Sequence, residues 1–129
     1  MLIDHNAFRR PAAVADLPDD DALILWSLRR LVVAWPRCHT VHAALHLRFG
    51  DAALGIEHLL RCLLVGIARH ADRGLAIGDP TCTIVLPDEA DLLAAVRPGA
   101  DAAAALNRLT GDPRAACLVP LAALLAASR

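Results

Sequence analysis

Gly50-Asp51 and Gly111-Asp112-Pro113 decide how this chain folds. Each interrupts a helical pattern. Glycine takes the left-handed conformation that ends a helix. The aspartate after it caps the next helix, and Pro113 fits a first helical position. Joints this short fold consecutive helices back on each other. The sequence predicts an all-α fold, a compact bundle of about six helices in a single domain over residues 1–129.

Working outward from the first joint, the spacing predicts a long helix from Asp51 to about Arg73, with Gly74 as its stop. Leu59, Leu60, Leu63, Leu64 and Ile67 give it a broad apolar face. Glu57 and Arg61 stand four apart, in the favourable order for an exposed pair. A shorter helix precedes it, from about Cys38 to Phe49. Before that, Asp19-Asp20-Asp21 opens a first helix, where acidic residues suit the macrodipole. Its buried stripe is Ile24, Leu25, Leu28, Leu31, Val32 and Trp35; Arg29 and Arg30 fall off the stripe's centre, and Pro36 ends it. Residues 1–18 read as an irregular lead-in. Residues 75–87 form an irregular or extended loop. Thr81 to Leu86 is β-branched enough for a strand, but no partner strand is evident in the chain, so the loop is favoured. A fourth helix starts near Pro87 with Asp88, Glu89 and Asp91 in its first turns. A fifth spans about Asp101 to Leu109. The sixth runs from Pro113 to about Ala127, kinked or split by Pro120.

Apolar residues make up 57% of the chain and aromatics only 3%, against roughly 45–50% apolar in typical globular chains. The core must therefore be built from aliphatic side chains and alanine. No charge-free stretch reaches the roughly 20 uninterrupted apolar residues of a membrane span. The apolar excess points instead to burial against a second copy, a homodimer. All 13 basic residues are arginine and the net charge is −1. No basic block suggests nucleic acid, and no basic amphipathic helix suggests a membrane surface. Met1-Leu-Ile-Asp4 lacks the regions of a signal peptide. With Cys38, Cys62, Cys82 and Cys117 far apart in sequence, reduced thiols in a cytoplasmic protein are the simplest expectation.

Four short patterns occur in order: Leu28-Arg29-Arg30, Phe49-Gly50, Leu59-Leu60-Arg61, and a cysteine-containing loop leading to Asp88-Glu89-Ala90-Asp91-Leu92-Leu93. Over roughly residues 23–127 the chain resembles a small uncharacterised bacterial helical family, a domain of unknown function. That family's loop is richer in cysteine, and a threonine usually precedes the proline, where Leu86 stands here. The resemblance implies a helical fold and no activity.

Candidate chemistry centres on histidine and cysteine. His39, His42 and His46 share one helix face by their spacing. His58 and Cys62 stand four apart on the next helix. In an antiparallel hairpin, His42, His46, His58 and Cys62 fall at similar heights, a donor set for zinc or another transition metal. The competing reading leaves them on solvent faces, with no cofactor expected. Cys38 lies at a helix start beside His39, where a thiol is activated, but no third member of a triad is evident. Arg29, Arg30 and Arg61 form a possible small-anion site, or pair with nearby acids. No catalytic residue is assigned. The leading expectation is a non-enzymatic helical protein acting through self-association and protein contacts. The alternative is a metal- or anion-binding protein using those side chains.

Overall fold

The longest helix of the computed structural model is also its centre. Residues 12–34, 38–99 and 101–129 are described; the expectations for residues 1–11, Trp35 and Pro36 lie outside them. Six α-helices follow in order: α1 (Asp19–Val33), α2 (His39–Phe49), α3 (Ala53–His70), α4 (Pro87–Ala95), α5 (Ala102–Thr110) and α6 (Val119–Ser128). Short 3-10 turns occupy Val14–Asp16, Gly50–Ala52 and Pro113–Leu118. The all-α expectation holds. The sixth helix divides as Pro120 demanded, into a 3-10 turn and then an α-helix with the proline in its first turn.

α3 buries Ile56, Leu60, Leu63, Leu64 and Ile67, while Leu59 is only half-buried. α2, α5, α6 and the Pro113–Leu118 turn all pack on it. With α3 central and α6 laid against it, one chain buries most of the apolar face of α3, while Leu54 on α3 and Leu124 on α6 stay exposed. The apolar excess is thus absorbed in part without a second copy.

The two joints work differently. Gly50 and Gly111 both have positive φ, +61° and +67°, a region that disfavours side chains. Asp112 caps as expected, accepting the Arg114 N–H at 3.0 Å. Asp51 does not: α3 starts after Ala52 with no side-chain cap. α3 also ends earlier than expected. Ala71 is extended, and Arg73 turns away to make two 2.8 Å bonds to the Asp88 carboxylate.

Residues 71–86 carry no strand. A lone antiparallel bridge joins Ile84 to Ala13, with the Val14 N–H donating to the Thr83 carbonyl and the Val85 N–H to that of Ala12. The lead-in thus supplies the partner that sequence did not reveal. Irregular backbone packed against a core needs partners for its amides and carbonyls, and a buried ion pair supplies four of them. Arg29 is 2% exposed and Glu89 is fully buried. Arg29 Nε and Nη2 donate to the Glu89 carboxylate at 2.7 and 2.8 Å. Nη1 and Nη2 also donate to the carbonyls of Cys82 and Ile84 at 2.6 and 2.7 Å. Glu89 in turn accepts the N–H groups of Gly78 and Leu86 at 3.0 and 2.9 Å. Asp88, also buried, accepts the Ala76 N–H at 2.8 Å. These acids do more than complement a helix start, and Arg29 does not flank the core but lies inside it. Burial pushes the Glu89 carboxyl up, yet Arg29 and the two amides outweigh it and hold it below its ordinary value.

Candidate functional site

The end of α3 meets the Gly111 joint, and there three chemically complementary side chains line up. His70 is the last residue of α3. Its Nδ1 lies 3.1 Å from Asp112 Oδ2, and its Nε2 lies 3.7 Å from Cys117 Sγ. Asp112 and Cys117 thus engage opposite nitrogens of one imidazole. With Nδ1–H donating to the carboxylate, Nε2 is left as the acceptor that faces the thiol. A nucleophile beside a base that a third group orients is the general arrangement for covalent catalysis. Such contacts are often long without substrate.

Each member is placed by a local cause. Gly66 stands one turn before His70 on α3. A Cβ there would fall 2.4 Å from Leu118 Cδ2, so any side chain at this position would have to push the Leu118 side chain aside. Ala115 and Leu118 anchor that turn in the core and leave Cys117 between them exposed. Gly111 reverses the chain after α5. The Asp112 N–H then donates to Thr110 Oγ1 at 3.2 Å, and that hydroxyl donates to the Leu106 carbonyl at 2.8 Å. Asp112 is pulled down to about 2, chiefly by the Arg114 amide, then by the Arg114 side chain and His70. It is therefore an anion throughout the neutral range.

The residues singled out from sequence go elsewhere. His42, His46, His58 and Cys62 do not converge. His42 Nδ1 lies 3.1 Å from Glu57 Oε2 and its ring stacks on His46 at 6.3 Å. His58 Nε2 and Cys62 Sγ are 3.5 Å apart on another face of α3. The heights agree, but His58 follows Glu57 by one residue, about 100° around the helix. Among the described residues, no group of three or more His, Cys, Asp or Glu side chains is placed to hold a metal ion. The arginines do not form one anion site either. Arg29 is committed to Glu89. Arg61 Nη1 lies 3.4 Å from Glu57 Oε1. Arg30 sits over the Trp26 ring, 5.8 Å from its centroid, with Nη2 3.7 Å from Cys38 Sγ.

Sequence reasoning missed His70, Asp112 and Cys117 as a set. Gly66 carried at most a faint signal: α3 also holds Gly55, which nothing approaches within 4 Å, so a glycine in this helix does not by itself mark a close neighbour. No family model, curated protein or solved structure matches the chain. No helix among the described residues is long and apolar enough to cross a membrane.

Proposed function

We propose that this protein acts through Cys117 as a surface thiol nucleophile, with His70 as its base and Asp112 orienting that base. The supporting observation is the unbroken chain of contacts from Sγ through the imidazole to the carboxylate. The thiol attacks an activated carbonyl while Nε2 takes its proton. The leaving group departs with that proton, and the acyl group stays on sulfur. Cys117 stands on an exposed turn, so the fitting substrate is a small acyl donor or an acyl group presented by a second macromolecule.

The test is a stoichiometric burst with a chromogenic acyl ester. The full-length chain should release one leaving group per protein and acquire the acyl group on Cys117. Cys117→Ser should abolish the burst. His70→Ala should slow it on the order of 10²-fold. A burst that survives Cys117→Ser, or that keeps the parent rate in His70→Ala, overturns the proposal.

Self-association is a second reading, supported by Leu47 and Leu54, which are 88% and 65% exposed on either side of the Gly50–Ala52 joint. Solution mass of the parent against Leu47→Glu tests it; a monomer in both removes it.

A further inference from the structure

The solvent side of α3 carries a pattern of its own. Leu54, His58, Cys62, Val65 and Arg69 follow one another at steps of three and four, so they share one face of the helix. Leu54, His58 and Arg69 are exposed, and Cys62 and Val65 are half-buried. On this face His58 Nε2 and Cys62 Sγ stand 3.5 Å apart. Zinc bonds of about 2.3 Å to sulfur and about 2.1 Å to nitrogen, opened to the tetrahedral angle, put two such donors about 3.5–3.6 Å apart. The pair therefore already spans one edge of a zinc tetrahedron. Among the described residues of the same chain, no third His, Cys, Asp or Glu joins them. A closed zinc site takes four donors, and two-fold pairing with a second copy doubles two to four.

We propose that His58 and Cys62 are half of an interchain zinc site, completed by the same two residues of a second copy packed antiparallel on α3. Each thiol gives up its proton to solvent as it binds. Two thiolates then cancel the two charges of the ion, and two neutral imidazoles fill the remaining positions. The antiparallel direction follows from charge. A two-fold axis midway between His58 and Cys62 sets each against the other's counterpart, and it sets Asp51 against Arg69 of the second copy. Both of these side chains are exposed, and opposite charges at the two ends of the contact fix its register. A parallel pairing would set Arg69 against Arg69. The same axis brings Val65 over Gly55, where a Cβ would meet nothing within 4 Å, so the two helices can approach closely there. The site requires neither the Cys117 chemistry nor the Leu47 contact.

The experiment uses the reduced full-length chain carrying Cys117→Ser, which removes the other exposed thiol beside a histidine, and zinc chloride as the probe. Zinc added to chelator-treated protein should double the solution mass and saturate at one ion per two chains. Cobalt(II) in its place should show the visible bands of a tetrahedral ion together with thiolate-to-metal charge transfer. His58→Ala and Cys62→Ser, both away from the packed core, should each lose the doubling, and Cys62→Ser should also lose the charge transfer. Arg69→Glu should raise the zinc concentration needed for half-dimerisation, and adding Asp51→Arg to it should restore the parent value. A mass that zinc leaves unchanged overturns the proposal, as does saturation at one ion per chain or a doubling that survives in Cys62→Ser. Arg69→Glu pairing at the parent zinc concentration overturns the antiparallel register. Chains that already pair in chelator are tested as Leu47→Glu, so the two modes of association are read apart.

Discussion

The Arg29–Glu89 cluster and the Cys117–His70–Asp112 chain are assembled from similar groups and end in opposite states. In the first, both charges are buried, and each also serves two backbone groups of residues 78–86. The cluster is saturated and shut to solvent. In the second, His70 is a quarter exposed, Asp112 is pinned by its own turn, and Cys117 faces outward. That chain ends on an exposed sulfur that, among the described residues, has no hydrogen-bond partner beyond the imidazole. Titratable groups at close range are thus a poor guide to function taken alone. What separates the two clusters is whether the last group in line is already spent on the fold.

Substitutions that break each cluster should fail in different ways. Glu89→Ala should have the largest effect, roughly 3–5 kcal/mol off the unfolding free energy, because it strands a buried guanidinium. Urea melts would measure it. Below the unfolding transition, the acyl burst at Cys117 should be unchanged; a slowed burst in a folded variant would show that the two clusters are coupled. His70→Ala is the mirror image, with the burst reduced on the order of 10²-fold and the melt nearly that of the parent. Gly66→Ala bridges the two. Its Cβ must displace Leu118, at a cost of about 1–3 kcal/mol, and the turn should carry Cys117 away from His70. A normal burst in Gly66→Ala would mean that close packing does not set the geometry.

The smallest effect is a pH dependence. The folded carboxyl of Asp112 titrates near 2, below its ordinary 3.8. A depressed acid stabilises the fold above its unfolded value, and that contribution is lost as the pH falls from about 4 towards 2. Melts of the parent and Asp112→Asn over that window should converge as the pH drops. Parallel curves would show that the carboxylate gains nothing from its turn.

Much of the fold was legible because helices announce themselves locally. Glycines with positive φ, the proline that divides the last helix and the apolar stripe of α3 were all visible in runs of a few residues. The buried ion pair was not. Arg29 and Glu89 are separated by 60 positions, and helical spacing cannot tell a charge beside the core from one sunk into it. His70 and Cys117 are 47 apart, so the site has no spacing motif. It exists only once α5 and the Gly111 joint have brought the chain back across α3. The histidine hairpin misled for a related reason: distance from the joint fixes height along two helices, while the face depends on single positions.

Arg29 and Glu89 also constrain how this sequence can drift. In a simple buried pair, a lineage can trade both charges for apolar side chains, and the exchange is often neutral. Here the carbonyls of Cys82 and Ile84 and the amides of Gly78 and Leu86 lean on the same two side chains. Those four groups belong to the main chain: no substitution removes the two carbonyls, and only proline removes an amide N–H. An apolar double replacement would strip these part-buried groups of the partners the pair gives them, at about 1–3 kcal/mol for each that water does not reach. The pair is therefore inherited as one character. Descendants that keep the course of residues 78–86 should keep both residues, and those that lose the pair must reroute the backbone.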